Sequence, residues 1–298
     1  MKEPVVRWRR AKEVRRTHPN VSQSTQVDSV LSADGRRPAR LGFKITPRAG
    51  PNKPHLGYDS RMQSDVRRFT SLAELSGAAA SAVAKVAKDA IHLRGHCSIV
   101  LSGGSTPKTL YRLLATTHRN DVNWARVHLF WGDERWVPAS DPRSNLRMAR
   151  EALIDHVHCP AEHVHPIPVD ASSPDVAARE YARTLHTFFR TADAGPDLLL
   201  LGMGSDGHTA SLFPRSPALD EQRRWAVPSF APVEPRERVT LTIPAINRAK
   251  HVFLLVAGHD KQSAFNEATS GHADPHRCPV ALVRPTNGTL TWWVTAMP

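Results

Sequence analysis

The chain has 298 residues, 40% of them hydrophobic, enough for a sizeable core, and no apolar run approaches the ~20 residues of a membrane-spanning helix. The net charge of +12 is unevenly spread: residues 1–62 hold 14 Lys and Arg against 5 Asp and Glu, and the rest 26 against 23, so a nucleic-acid-binding surface over the whole protein is not implied. Cys97, Cys159 and Cys278 are odd in number and far apart, form no C-x-x-C, and suit a reducing cytoplasm.

Residues 1–62 carry no sustained hydrophobic period and are rich in Arg, Pro, Ser and Gly, so disorder is expected there. They contain no apolar core of a secretory signal. We read them as a non-functional extension, such as a start codon set too far upstream would add. An organelle transit peptide and a basic tail for nucleic acid are the alternatives; salt-dependent binding by the isolated segment would reveal the latter. Residues 63–298 are then the folded α/β domain. From Ser71, Leu72, Leu75, Ala79, Ala82, Val83, Val86 and Ala90 recur at helical spacing up to Gly95. Cys97–Leu101 predicts a strand, with Cys97 as core filler. Ser102-Gly103-Gly104-Ser105-Thr106-Pro107 follows, then a helix from Lys108 to about Ala115, with Pro107 suited to its first turn. A strand, a Gly-Gly turn and a helix start make an anion site from free amides and the helix dipole; the plain alternative is an ordinary turn with a Ser or Thr cap. The loop is not a Walker loop, since G-x-x-x-x-G-K is absent.

Val127–Trp131 predicts a second short strand, followed by the loop Gly132-Asp133-Glu134-Arg135-Trp136-Val137-Pro138. Arg135 offers a planar fork to a carboxylate or phosphate; alternatively it pairs with Asp133 or Glu134 to brace the loop. Ser144 reads as the cap of a helix beginning at Asn145. A strand is expected over Val164–Val169 and a helix from Pro174 to about Arg190. The stretch Pro196–Pro214, PDLLLLGMGSDGHTASLFP, organises the rest. Leu198–Leu201 predicts a strand buried on both faces, and Gly202 and Gly204 allow positive φ or close approach. Asp206 and His208 then stand at the strand's carboxyl end, where open α/β sheets build sites. Thr209–Phe213 reads as a short helix stopped by Pro214, with Asp206 as its N-cap in the bland alternative. Further strands are expected over Trp225–Phe230 (an edge), Arg238–Ile243, His251–Ala257, Val280–Val283 and Thr289–Thr295, with a helix over Gln262–Ala268 after Gly258-His259-Asp260-Lys261. Alternating strands and helices predict a mostly parallel, Rossmann-like sheet with helices on both faces.

Four phrases, LSGGSTPKTLY, VHLFWGDERWVPASDPRSNLRMA, PDLLLLGMGSDGHTASLFP and RVTLT-to-GHDK, together resemble the 6-phosphogluconolactonases, in a superfamily shared with the glucosamine-6-phosphate deaminases. The resemblance runs from about Arg68 to Val294 and does not reach residues 1–62. It implies a fold of the ribose-5-phosphate isomerase and CoA transferase type. It also implies hydrolysis of 6-phospho-D-glucono-1,5-lactone to 6-phosphogluconate in the oxidative pentose phosphate pathway.

The residue types suit that chemistry. Gly103, Gly104, Ser105 and Thr106 offer an anion cradle, and by resemblance Arg238 and Lys261 hold the phosphate. A lysine at a helix start is disfavoured by the dipole unless an anion joins it. An imidazole, titrating near ~6.5, can take a proton from water and return it to the ring oxygen, which makes His208 the expected base. Asp206 would orient or polarise it. Asp133 and Arg135 match the family's loop and are assigned to substrate positioning and to stabilising the oxyanion; Asn145 and Gly204 are further substrate-binding candidates. No G-x-S-x-G elbow points to a serine nucleophile, and no cluster has zinc spacing, so neither metal nor cofactor is expected. The rival is deamination, but the deaminases place Ala-Phe-Asn-Glu-Pro near this point and use its glutamate. This chain has no acid between His208 and Asp220. An inactive sugar-phosphate sensor on the same fold is the other alternative.

Overall fold

Leu198 to Leu201 are each fully buried, as a strand with neighbours on both edges and packing on both faces requires. They form the core of β5 (Leu198–Gly202) in a computed structural model that describes residues 65–190 and 194–295. The expectations for residues 1–62 fall outside the described residues. The remaining elements, in chain order, are β1 (Asp65–Phe69), α1 (Leu72–Arg94), β2 (Cys97–Leu101), α2 (Ser105–Ala115), β3 (Val127–Trp131), β4 (Asp133–Arg135), α3 (Asn145–Ala152) and α4 (Pro174–Phe188). After β5 come β6 (Ala226–Phe230), β7 (Glu237–Leu241), α5 (Ile243–Ile246), β8 (His251–Val256), α6 (Gln262–Thr269) and β9 (Thr289–Thr295).

Six strands form one all-parallel sheet in the order β1-β9-β8-β5-β2-β3, as strand–helix alternation predicts. A second, antiparallel sheet, β4-β7-β6, was not foreseen. Its strand β4 lies where the sequence suggested only a loop. Helix α1 starts at Ser71, whose Oγ accepts the Glu74 N–H, and it buries Leu75, Ala79, Val83, Ala87 and Ala90 along one face. Helix α2 packs against it. Two phenols close the carboxyl ends of neighbouring strands. The Tyr111 hydroxyl accepts the Ser102 N–H and donates to the Ser102 carbonyl, both at 2.8 Å. Tyr181 does the same at Trp131, again at 2.8 Å. Burial pushes both phenols above their ordinary pKa, so they keep the proton they donate. At the amino end, buried Asp197 accepts from Arg94 (2.5 Å), Lys250 (2.8 Å) and the Ser98 N–H (2.9 Å).

Several local expectations are corrected. Thr209–Phe213 is a turn, not a helix: Leu212 N–H donates to Thr209 O, and Ala210 takes a left-handed φ of 48°. Val164–Val169 is not a strand, because Pro166 and Pro168 remove two donors; only the His165 N–H reaches Leu129 O on the edge of β3. Val280–Val283 falls on a short 3₁₀ turn, Pro279–Leu282. Helix α2 begins at Ser105, three residues earlier than expected, with Gly104 as N-cap and no side-chain cap. No helix among the described residues is long and apolar enough to cross a membrane.

Candidate active site

Strand β2 lies between β3 and β5. The chain leaves β2 toward β3 on one side and leaves β5 toward β8 on the other, so the carboxyl ends of β2 and β5 flank the point where the winding reverses. A cleft of about 220 Å³ opens there. Gly103, Gly104, Ser105 and Thr106 line it from the β2 side, and Gly204, His208 and Lys261 from the β5 and β8 side. Asp133, Arg135 and Asn145 close the third wall. Of the residues singled out in the sequence, Asp206 and Arg238 alone stand outside the lining.

His208 is aimed by its own loop. Its Nδ1 lies 2.6 Å from Asp206 Oδ1, and the same oxygen accepts the His208 N–H at 3.1 Å. Gly204 N–H donates to His208 O at 2.8 Å and closes the turn. A Cβ on Gly204 would sit 2.1 Å from His208 Nδ1, so only glycine leaves room for the pair. Burial pushes the Asp206 carboxyl up, but the hydrogen bonds from His208 outweigh it and hold the group below its ordinary pKa. An ionised Asp206 accepts a proton-bearing Nδ1 and leaves the lone pair on Nε2. Asp206 thus contacts the imidazole, and with no helix following, it caps none.

The alternative reading, an ion pair between Arg135 and either acid of its loop, does not hold. Glu134, 2% exposed, instead accepts the N–H groups of Arg135 (2.7 Å), Asn145 (2.8 Å) and Leu146 (2.8 Å) and the Ser144 hydroxyl (3.1 Å). It ties β4 to the start of α3, beside the cap that Ser144 supplies. Burial pushes its carboxyl above the ordinary value, against those N–H bonds. Asn145 is fixed in turn: its Nδ2 donates to Asp133 O at 2.9 Å and lies 3.4 Å from Asp133 Oδ1. A Cβ on Gly103 would meet Asn145 Oδ1 at 2.0 Å, so Gly103 is also a steric requirement. Arg135 Nη1 donates to Arg143 O at 2.7 Å.

Lys261 immediately precedes α6, and its ammonium reaches back to donate to Met203 O at 2.7 Å, above the end of β5. Arg238 sits opposite Arg135 in the β4–β7 pair and is 7% exposed. Burial, then the neighbouring Arg135 charge, pull its guanidinium below the ordinary value. Arg135 Nε, Arg238 Nε and Asn145 Oδ1 are buried polar atoms with no hydrogen-bond partner in the protein, all in this corner. Sequence reasoning missed Ser102, Pro107, Met203, Ala210 and Leu255, which also line the cleft. Three of these flank the glycine turns, a signal that could have placed them; Leu255 and Ala210 carried none. No group of three or more His, Cys, Asp or Glu among the described residues is arranged to hold a metal ion.

The comparisons with known proteins identify a family. A family profile described as "Glucosamine-6-phosphate isomerases/6-phosphogluconolactonase" matches residues 70–292. A "6-phosphogluconolactonase" of Synechocystis sp. is 46% identical over 207 residues, which cover 68% of this chain and 83% of that protein. Another, of Mycobacterium tuberculosis, is 40% identical over 227 residues, covering 74% of this chain and 91% of its own length. The solved "6-phosphogluconolactonase from Trypanosoma cruzi" superposes with a TM-score of 0.71 at 31% identity, over 79% of this chain and 96% of that one. With a matched span that takes in both glycine turns, the Asp206–His208 loop and the small sheet, the chain belongs to the glucosamine-6-phosphate isomerase/6-phosphogluconolactonase family.

Proposed function

We propose that the protein hydrolyses 6-phospho-D-glucono-1,5-lactone to 6-phospho-D-gluconate, a step of the oxidative pentose phosphate pathway, with water activated by His208. The observation that carries this is the 2.6 Å Asp206–His208 pair at the rim of a cleft whose opposite wall is the start of α2. His208 Nε2 takes a proton from water as the oxygen attacks the lactone carbonyl. The tetrahedral oxyanion gains from the Arg135 charge. Collapse breaks the bond from the carbonyl carbon to the ring oxygen, which takes the proton back from His208. The amides of Gly104 to Thr106 and the Lys261 ammonium hold the phosphate, and Arg238 adds positive charge behind Arg135. Asp133 and Asn145 position the sugar hydroxyls, and no step requires a metal. The reading carries a cytoplasmic setting, supported by three free cysteines.

The test is an assay of freshly prepared 6-phosphogluconolactone beside glucosamine 6-phosphate, with spontaneous lactone hydrolysis subtracted. Turnover of the lactone alone is expected. Release of ammonia from the amino sugar would instead favour the deaminase reading, and tight binding without turnover of either would favour a sensor.

A further inference from the structure

Ser211 has no role in the account above, yet every polar group it owns is committed. It is 1% exposed. Its N–H donates to Thr240 Oγ1 at 3.2 Å, its carbonyl accepts from Ser229 Oγ at 2.6 Å, and its hydroxyl donates to Asp133 Oδ2 at 2.6 Å. Thr240 and Ser229 lie on β7 and β6, and Thr240 faces Asp133 in the β4–β7 register. Ser211 is thus anchored by its backbone to the sheet whose edge strand carries Asp133. It lies three residues beyond His208.

The turn at 209–212 makes that contact possible. Ala210 holds a left-handed φ of 48°, which a residue with a Cβ adopts only against a penalty. Thr209 Oγ1 donates to Gly202 O at 2.8 Å and pins the turn to the end of β5. The turn hands the Ser211 N–H and C=O to the small sheet and aims the hydroxyl at a carboxylate in the cleft wall. A donor this short to a buried carboxylate holds it in one rotamer. It occupies Oδ2 and leaves Oδ1 beside Asn145 and the cleft.

We propose that Ser211 is a positioning residue that acts through Asp133. Its hydroxyl keeps Asp133 turned so that Oδ1 meets a substrate hydroxyl, and it couples the Asp206–His208 loop to the wall that orients the sugar. What Asp133 holds rests on the lactonase reading; the coupling of Ser211 to Asp133 does not.

The test is Ser211→Ala in the full chain, with two readouts. The first is the ¹³C chemical shift of the Asp133 carboxyl carbon in the free protein at neutral pH, its resonance assigned by its loss in Asp133→Ala. The variant should move that resonance, because the carboxylate loses its short hydroxyl donor; a serine with only a packing role would lower the melting temperature and leave the resonance where it was, which overturns the proposal. The second is a double-mutant cycle in kcat/KM on 6-phosphogluconolactone. Ser211→Ala alone should lose about tenfold or more, and nearly nothing on the Asp133→Ala background. A full loss on both backgrounds means that Ser211 acts elsewhere. Should Ser211→Ala not fold, Ser211→Cys, which keeps the size and weakens the donor, is read by the same two measurements. If the unmodified protein turns over no lactone, the lactonase reading fails, and the carboxyl resonance alone decides the coupling.

Discussion

Two residues apart in sequence, Asp206 and His208 meet at 2.6 Å only because the chain folds back over Gly204. His208→Ala should therefore lower kcat by ~10²–10⁴-fold without changing the melting transition. Near-normal kcat across pH 6–8 would remove His208 from the role of base. Lys261 is tested through the substrate. Lys261→Ala should cut kcat/KM for the phosphorylated lactone by about 10- to 100-fold, as loss of a charged hydrogen bond implies. It should leave the slow hydrolysis of unphosphorylated glucono-1,5-lactone nearly unchanged; equal fractional losses on both lactones would end its assignment to the phosphate. These residues were legible in the sequence because each sits in a short motif that its own strand end delivers. Ser211 was not, since its partner Asp133 stands 78 positions earlier and a helical pattern concealed the turn that joins them.

At the scale of elements, long periodic segments such as α1 and the buried strands were readable. The small sheet was not: β4 spans three residues, and its partner β7 begins about a hundred positions later. Pairing at that distance leaves no local periodicity to detect. The outer edge of the main sheet bears a different test. On β3, His128 packs against His163 at 3.9 Å between ring centroids and lies 3.2 Å from His165 across Nδ1 and Nε2, with His96 and Phe188 beside it. Burial, then the neighbouring imidazoles, lower the His128 pKa from 6.5 to about 4, and burial lowers His165 as well. The folded state thus resists protonation that the unfolded chain accepts, so this contribution to stability is complete above pH ~6.5 and is lost as the pH falls toward about 4. The melting temperature should drop across that window, and His128→Phe should flatten the slope. An unchanged slope in the variant would mean that other groups govern acid unfolding.

At the scale of the whole molecule, the family match starts at residue 70 and the helical pattern at Ser71, while the basic excess lies in residues 1–62. A chain beginning near Arg61 should melt cooperatively and turn over lactone like the full protein; loss of the transition would show that the segment contributes to the fold. The two phenols at the strand ends carry a consequence for motion. Each hydroxyl stands where another strand's peptide group would be, so an amide at the carboxyl end of each strand is shielded by a side chain from a helix. The amides of Ser102 and Trp131 should therefore exchange with solvent deuterium as slowly as those in mid-sheet, while the glycine turn at 103–104 exchanges fast. Tyr111→Phe keeps the ring and removes the clasp, and it should release the Ser102 amide alone. The boundary between rigid scaffold and adaptable loop is then set by two oxygen atoms, one on α2 and one on α4.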